Sequence, residues 1–501
     1  MPPKPRYLCA EKDDLIWEKL DDAVDKWYES VRSDEAHRAV GNFILQHKKG
    51  PVKVMHRVVK GGYNVVYRLE YKDGTSVIMR IPIQGAVPFP DEKIRYEVAT
   101  MRYVAAHTTI TVPYVYHYGT AEDNPTGLGP FIVMDYIPHH QNMSRALLDP
   151  TRPLGERPVL NPAIDEQTLA LYYGQMANIL LQLASLRFPR IGSLVEEPDK
   201  GESPGQIAVR GRPLIANMSD IVVHTDAPAG ILPPPQKTYE TAHAWYAALA
   251  DMHMAQLAFQ HNDAVDDEDD ARDKYVARQL FRTLAAGNRL AHGSSSKEEG
   301  NGPARLFCED LRPANVLLDA DGRVVGVIDW EFAYAAPPSF SDDPPWWLLL
   351  EEPDYWTGGY AAWIDAYEPR LQTFLRALEA EEAKIATANS STSTSTSTST
   401  STSEPPLSER MRERWMAGTW LLNYAARKSW AFDFVWWRFL DEKHYGPNEH
   451  QDHQARLAVL SRPQRAAMDT FVAGKMKESL DRVTVAWTDA GAAEHLAALL
   501  V

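Results

Sequence analysis

Apolar positions recur along the chain with two different periods. In residues 1–50 they recur at helical spacing, which predicts an N-terminal helical extension. From residue 51 to residue 137 the pattern is that of strands, because short β-branched and aromatic runs are separated by turn residues. The runs are VMHRVV, VVYRLEY, SVIMRIP, VPYVYHYG and PFIVMDYI. Residues 51–137 are therefore predicted to form a small antiparallel sheet, in which Asp73-Gly74 marks a tight hairpin.

One helix is predicted inside this sheet region. Asp91 is a suitable N-cap, and the helical pattern continues to about His107. The apolar face includes Ile94 and Val98, and Glu97 lies at the edge of that face. Because a carboxylate beside an apolar face needs a partner, Glu97 is expected to pair with a cation.

After residue 137 the pattern is mainly helical. Residues 138–389 predict a helical lobe, with long amphipathic helices over residues 169–186 and 242–259. Residues 195–240 are rich in Pro and Gly and predict an irregular insertion between these helices.

A low-complexity segment interrupts the helical part. Residues 390–403 are an unbroken run of Ser and Thr, which has no side chains to bury and predicts a disordered linker. Residues 404–501 are again helical in pattern and are expected to complete the helical lobe. The predicted fold class is therefore α+β, with a small sheet lobe followed by a larger helical lobe.

Polar residues cluster in the segment LFCEDLRPANVLLDADGRVVGVIDWEFA, residues 306–333. Asp310 lies on a turn, and Asn315 starts the apolar run VLL. The hairpin at DADG then returns the chain, so that Asp329 is expected beside Asn315. Oxygen donors from Asn315 and Asp329 suit Mg²⁺, and Asp310 would face an acceptor hydroxyl. Taken singly, Asp310 and Asn315 can also be ordinary turn residues, since both types favour turns.

A glycine pair and a basic strand residue suggest that a nucleoside triphosphate binds between the lobes. The candidate contacts, from the phosphates to the adenine, are Gly61, Gly62, Arg80, Glu97, Met134 and Tyr136. Glycine lets the backbone approach phosphate oxygens, and an arginine at a strand end reaches phosphate, a carboxylate or both. The backbone of residues 134–137 is a candidate donor and acceptor for adenine. A glycine pair alone is more often a plain turn, so these candidates depend on the whole set.

The motifs resemble those of the aminoglycoside phosphotransferase-like (phosphotransferase enzyme) family. CEDLRPANVLL and VIDWEFA are similar to its catalytic loop and metal-binding segment, and GGYNVVYRL, VIMRIP and EVATMRYV are similar to the first strands and helix of its fungal branch. The resemblance covers roughly residues 50–350.

This resemblance implies a bilobal protein-kinase-like fold and roles for particular residues. Asp310 would be the catalytic base, and Asn315 and Asp329 would hold magnesium. Arg80 stands where relatives carry a phosphate-contacting Lys, paired with Glu97. Cys308 stands where relatives usually have His, which braces the catalytic loop.

Charge and cysteine content exclude several other classes. The net charge of −16 argues against nucleic acid or an anionic membrane surface as the main partner. Two cysteines, Cys9 and Cys308, imply neither a disulfide framework nor a thiolate metal site. The N-terminus lacks the apolar run of a secretory signal, and no apolar run approaches the length of a membrane span. A cytoplasmic protein is therefore expected.

The favoured function is ATP- and Mg²⁺-dependent phosphorylation of a hydroxyl group on a small molecule. Residues 342–356 alternate acids with aromatics, and such a mixture could hold a cationic acceptor. The main alternative is a catalytically idle, kinase-like protein that binds ATP or a partner. Phosphorylation of a protein side chain is least favoured, because Asp329-Trp330-Glu331 replaces D-F-G and no A-P-E segment follows.

Overall fold

The structure is a computed structural model that describes residues 4–153, 155–197, 205–287, 289–290, 302–392 and 404–501. Its strands are β1 (Val52–Met55), β2 (Val59–Lys60), β3 (Asn64–Tyr71), β4 (Ser76–Pro82), β5 (Val115–Gly119), β6 (Phe131–Asp135), β7 (Gln141–Asn142), β8 (Arg187–Phe188), β9 (Ser193–Glu196), β10 (Ile207–Gly211), β11 (Ala304–Cys308), β12 (Val316–Leu318), β13 (Val324–Val327) and β14 (Ala333–Ala336).

Its helices are α1 (Asp14–Val31), α2 (Asp34–His47), α3 (Pro90–His107), α4 (Met143–Leu147), α5 (Glu166–Ser185), α6 (Ala216–Thr225), α7 (Ala242–Phe259), α8 (Glu268–Ala286), α9 (Pro338–Ser341), α10 (Gly359–Thr392), α11 (Leu407–Ala417), α12 (Trp420–Ala426), α13 (Phe432–Val435), α14 (Asp441–Tyr445), α15 (Arg462–Asp481) and α16 (Asp489–Ala497). Within the described ranges, none of the helices combines the length and the apolar character needed to cross a bilayer.

The sheet lobe is a twisted antiparallel sheet with strand order β1-β3-β4-β6-β5, and β2 pairs with β3. Side chains alternate between the two faces. Val65, Tyr67 and Leu69 point to one face and pack against α1 and α2. The opposite face carries Arg68 and Arg80 and borders a cleft. The N-terminal helices therefore cover the back of the sheet and leave its other face to the cleft.

Helix α3 begins differently from the prediction. Its N-cap is Phe89, which makes no side-chain capping bond, and Pro90 occupies the first turn. The prediction that Asp91 is the N-cap is therefore wrong: a proline is well suited to the first helical turn, so the helix begins before Asp91. Asp91 lies inside the first turn, where its charge favours the helix dipole.

The helical lobe is built on the long helices α5, α7, α8 and α10, and α5 packs along α10. The prediction of an irregular segment over residues 195–240 is wrong, because β9 and β10 form a hairpin and α6 follows it. Pro and Gly residues between these short elements hid them in the sequence. Helix α10 reaches Thr392, so the predicted linker begins within the helix, and its residues 393–403 lie outside the described residues.

Two small sheets bring the functional loops together. Strand β11 pairs with β14, with Cys308 opposite Ala333, so the chain leaves and re-enters this sheet at one place. Strand β12 pairs with β13 and with β7. The loops after β11 and after β13 therefore lie side by side, facing the sheet lobe. The expected α+β fold class, with a small antiparallel sheet and a larger helical lobe, is confirmed.

Candidate active site

A cleft of about 830 Å³ lies between the two lobes. The predicted site residues that line it are Gly61, Gly62, Arg80, Met134, Tyr136, Asp310 and Asp329. Glu97 and Asn315 are buried behind this wall, each in contact with a lining residue. The structure thus brings together residues from both lobes, such as Arg80 and Asp329, which are 249 positions apart in the sequence.

Asp310 is held by two neighbours from its own loop. Asn315 Nδ2 donates to Asp310 Oδ2 at 3.0 Å and to the Asp310 backbone carbonyl at 2.8 Å. Arg312 Nε lies 2.9 Å from Asp310 Oδ1. Burial raises the pKa of the Asp310 carboxyl, and Arg312 and Asn315 oppose that shift. The arrangement fixes one orientation of this carboxylate at the wall of the cleft.

Asp329 lies beside Asn315, as the hairpin pattern indicated. The Ile328 backbone N–H donates to the Asn315 carbonyl at 2.9 Å, which joins the two segments just before Asp329. Asp329 has φ 64°, a left-handed conformation that Asp tolerates better than most residues. Burial and the neighbouring Glu331 charge raise the pKa of Asp329 to about 7.

The donor set here fits a magnesium ion. Carboxylate oxygens of Asp310, Asp329 and Glu331 all lie within 4.8 Å of one another. Asn315 uses its amide nitrogen on Asp310, so its amide oxygen remains for a cation. Hard oxygen donors in small number are what Mg²⁺ takes from proteins, since it keeps several waters. Asp329 and Asn315 would hold such an ion.

Arg80 links the sheet to both helix α3 and the loop after β13. One Nη atom donates to Glu97 Oε2, and the other lies 3.1 Å from Asp329 Oδ1. Burial acts to lower the pKa of Arg80, but Glu97, Asp329 and Glu331 outweigh it and raise that pKa. Among the described residues, Arg80 Nε and Glu97 Oε1 have no hydrogen-bond partner. Arg80 thus keeps one buried donor, Nε, without a partner.

The glycine pair forms the tip of the β2–β3 hairpin. The Gly61 N–H donates to the Asn64 carbonyl at 2.8 Å, and both glycines line the cleft. A Cβ added at Gly62 would meet no atom within 4 Å, so this position is open rather than packed. The hairpin tip is therefore accessible to a ligand in the cleft.

The strand that joins the lobes offers fewer backbone donors than expected. The Asp135 N–H donates to the Tyr114 carbonyl, and the Tyr136 N–H donates to the Ser76 carbonyl. The sheet therefore uses two of the backbone donors of residues 134–137. Within the part of the chain that the structure describes, the Ile137 N–H has no partner, and the adenine contact expected from this backbone stays a prediction. Met134 lies on the floor of the cleft.

Two buried polar residues at the site, Lys93 and Asn64, were not predicted from the sequence. Lys93 forms an ion pair with Glu331, and its Nζ also donates to Asn64 Oδ1 at 2.8 Å. Asn64 Nδ2 donates to Glu331 Oε2 at 3.2 Å. Burial acts to raise the pKa of Glu331, but Lys93 and Arg80 outweigh it, and the pKa lies below its ordinary value. The one signal in the sequence was that Lys93 lies one helical turn before Glu97.

A second cavity of about 340 Å³ adjoins the cleft. Tyr63, Asp310 and Arg312 line both spaces. The far wall includes Lys12 from the N-terminal segment and Lys428 from the segment after α12. Asp310 therefore has a nucleotide-sized space on one side and a smaller one on the other.

The acids of residues 342–356 are already paired with cations of the chain. Asp342 accepts from Arg305 at 2.7 Å and from Arg410 at 3.0 Å, and neither Asp342 nor Asp343 lines the second cavity. The guanidinium of Arg157 lies 3.6 Å from the centroid of the Tyr355 ring. Five other residues of this segment nevertheless line the second cavity: Trp346, Glu351, Glu352, Asp354 and Tyr355. Lys428 is paired with Glu352 there, and a cationic acceptor held by this mixture stays a prediction.

Cys308 lies inside the core behind the catalytic loop. Its Sγ contacts the Glu331 carbonyl at 3.7 Å, a weak hydrogen bond at most. Burial raises the pKa of the thiol well above its ordinary value, which disfavours the thiolate form that a nucleophilic cysteine needs. Cys308 therefore contacts the loop after β13 only weakly, and a larger, more polar side chain at this position would form a stronger hydrogen bond to it.

Comparison with known proteins supplies the family. The model of the phosphotransferase enzyme family matches residues 56–378 of the 501. The chain belongs to the phosphotransferase enzyme family. The matched range begins just after β1, includes the loops after β11 and β13, and ends within α10. The resemblance seen in the sequence motifs is thereby confirmed, together with the kinase-like fold class.

Two curated relatives illustrate the range of similarity. Altered inheritance of mitochondria protein 9, mitochondrial, from Yarrowia lipolytica is 24% identical over 370 residues, which cover 68% of this chain and 59% of that protein. A subtelomeric hrmA-associated cluster protein of Aspergillus fumigatus is 29% identical over 150 residues, or 28% of this chain and 25% of its own. The chain spans less than two thirds of the length of either relative.

The cytoplasmic location expected from the sequence is contradicted by these relatives. Five matching fungal proteins bear the name that marks them as mitochondrial. The expectation rested on the lack of an apolar N-terminal run, which is a feature of secretory signals. Mitochondrial targeting segments are amphipathic and Arg-rich instead, so the lack of such a run does not bear on that destination.

Solved structures also resemble the chain at low identity. A macrolide 2'-phosphotransferase type I has a TM-score of 0.37 and 14% identity, with 86% of this chain and 98% of that chain covered. The Plasmodium vivax ethanolamine kinase has a TM-score of 0.38 and 10% identity, with coverages of 92% and 93%.

Proposed function

We propose that the protein transfers the γ-phosphoryl group of ATP, with Mg²⁺, to a hydroxyl group of a small molecule. The observation that carries the proposal is the position of Asp310 between the large cleft and the second cavity. The large cleft has the volume and the lining for a nucleotide. The second cavity, at about 340 Å³, has room for a compact acceptor.

Phosphoryl transfer requires positioning and charge stabilisation more than covalent chemistry. When bound, Mg²⁺ would supply positive charge to the phosphate oxygens. The hairpin tip at Gly61 and Gly62 would cover the phosphates with backbone. Arg80, oriented by Glu97, would place its positive charge beside the phosphate oxygens.

Asp310 would accept the proton of the acceptor hydroxyl as that oxygen attacks the γ-phosphorus. Asn315 and Arg312 hold the carboxylate, and Asp310 lines both the cleft and the second cavity. The acceptor oxygen bonds to phosphorus, the bond to the β–γ bridging oxygen breaks, and ADP leaves with those electrons. Magnesium-dependent release of ADP by the purified protein, in the presence of an acceptor, tests this proposal; no release with any acceptor would contradict it.

Arg80 and Glu97 should act on nucleotide binding as a pair. Arg80→Met and Glu97→Gln each remove one side of the contact between β4 and α3. Because residues in direct contact couple, a double-mutant cycle on ATP affinity should show a coupling energy of about 0.5–3 kcal/mol. Isothermal titration calorimetry measures all four affinities. Additive effects would show that the pair does not act at the nucleotide site.

Metal binding should depend on pH through Asp329. Its pKa is raised to about 7, so below pH 7 the carboxyl is protonated and a metal ion must displace that proton. The affinity for Mn²⁺, a spectroscopic substitute for Mg²⁺, should fall about tenfold per pH unit below 7 and level off above it. Electron paramagnetic resonance of free Mn²⁺ measures this directly. A flat profile from pH 5.5 to pH 8 would contradict the role given to Asp329.

A further inference from the structure

Two adjacent residues of the glycine hairpin contact two adjacent residues of the metal-binding segment. Asn64 Nδ2 donates to Glu331, and the Tyr63 ring packs edge-on against the Phe332 ring with centroids 5.7 Å apart. Lys93 of α3 joins the first of these contacts, because its Nζ binds both Asn64 and Glu331. These contacts join three elements: the hairpin tip, helix α3 and the loop after β13.

The polar part of this contact is fully enclosed. Lys93 and Glu331 are each 2% exposed, and Asn64 is 8% exposed. A lysine is almost never buried without a partner, and a buried ion pair contributes little net stability, because desolvation offsets much of the attraction. Burial of this pair therefore favours a role in setting geometry over a role in holding the fold together.

The loop after β13, which receives these contacts, has two residues in backbone conformations that are unfavourable for residues other than glycine. Asp329 and Phe332 both have positive φ, 64° and 58°, although neither is glycine. Such conformations persist where surrounding contacts impose them. Arg80 binds the first of these residues, and Tyr63 packs on the second. The sheet lobe thus shapes the loop that carries the metal-binding carboxylate.

We propose that Asn64, Lys93 and Glu331 form a cross-lobe clasp, and that Lys93 is a positioning residue for the nucleotide phosphates. The clasp fixes the tip at Gly61 and Gly62 at a set distance from Asp329. The hairpin tip and the loop that carries Asp329 are then already ordered before phosphates bind between them. No binding energy is therefore lost in ordering the hairpin. The adenine end lies near Met134 and Ile137, away from the clasp. This inference rests on the proposed function for its ligand.

The test compares Lys93→Met with wild type for two ligands, measured by calorimetry. The β,γ-imido analogue of ATP with Mg²⁺ should bind at least about tenfold more weakly to Lys93→Met. Adenosine, which has no phosphates, should bind within about twofold of wild type. Lys93→Arg keeps the charge and should recover most of the affinity for the analogue. Lys53→Met removes an exposed lysine of the same sheet, paired with Glu70, and is the matched control.

A second variant distinguishes loss of the Lys93 contact from misfolding of the protein. Lys93→Met alone leaves Glu331 buried without its cation, whereas Lys93→Met with Glu331→Gln removes both charges. The double variant should melt close to wild type and still bind the imido analogue about tenfold more weakly. Equal losses for adenosine and the analogue, or full analogue affinity in the double variant, would overturn the proposal.

Hydrogen exchange separates this inference from the proposed function. Amides of residues 61–66 should exchange faster in Lys93→Met than in wild type or Lys93→Arg, with no nucleotide present. Unchanged exchange would overturn the clasp. A different outcome is faster exchange in Lys93→Met together with no binding of the imido analogue by the wild type. That outcome would overturn both the phosphate-positioning role and the nucleotide proposal, and the clasp would then be a structural contact only.

Discussion

Replacing Asp310 by Asn is expected to lower phosphoryl transfer by at least about a hundredfold. A carboxylate base contributes about 10²–10⁴-fold to rate, and a hundredfold corresponds to about 2.7 kcal/mol. Asn has the size and turn preference of Asp but cannot take the acceptor's proton. ATP affinity should stay within about threefold, because Arg80 and Asp329 contact the nucleotide side of the cleft. Steady-state turnover and calorimetry on one preparation measure both quantities.

Cys308→His is the matched change in the same loop. Cys308 makes only a weak contact with the Glu331 carbonyl, so a residue that braces the loop more firmly should hold or raise the turnover. If Asp310→Asn turned over substrate like wild type, Asp310 would not be the base. The alternative considered from the sequence, a catalytically idle kinase-like protein, would then replace the phosphotransferase hypothesis.

Replacing Asp329 by Ala is expected to remove magnesium-dependent ATP binding. Residues that only hydrogen-bond to a metal ligand contribute about 10–100-fold to metal affinity. Loss of a ligand itself should therefore lower the affinity by at least about a hundredfold. Alanine also fits the left-handed backbone at this position less well than Asp does, so Asp329→Asn is the companion variant that keeps the backbone preference and removes the charge. Calorimetry with the imido analogue, with and without Mg²⁺, measures the effect.

The control for this prediction is an acid in the neighbouring hairpin. The Asp321 side chain is 71% exposed, and Asp321→Ala removes a carboxylate without touching the cleft. It should bind the magnesium complex like wild type. Wild-type affinity in both Asp329 variants at saturating Mg²⁺ would remove Asp329 from the metal site.

Much of the site could be predicted because its parts are local in the sequence. Asp310, Asn315 and Asp329 lie on one turn and one hairpin, so strand periodicity and turn chemistry were enough to bring them together. Arg80 and Glu97 could be singled out because one is a cation near the end of a strand and the other is a carboxylate at the edge of an apolar helix face. In both cases short-range rules fixed where the side chains would point.

The remaining contacts depend on how the two lobes pack against each other. Hydrophobic periodicity predicts single helices and strands, but it does not predict which residues of the two lobes meet. Asn64 and Glu331 are 267 residues apart. The second cavity likewise takes Lys12 from the N-terminal segment and Lys428 from the far end of the chain. The helix cap depends on a more local feature: Pro90 fits the first helical turn, so the N-cap falls at Phe89 and not at Asp91.

The most direct test of the account is transfer of label from [γ-³²P]ATP to small molecules of a fungal metabolite extract. The account predicts labelled small products with the wild-type protein and Mg²⁺, and at least about a hundredfold less with Asp310→Asn. A wild-type protein that binds ATP and Mg²⁺ but labels nothing beyond the Asp310→Asn level would contradict it.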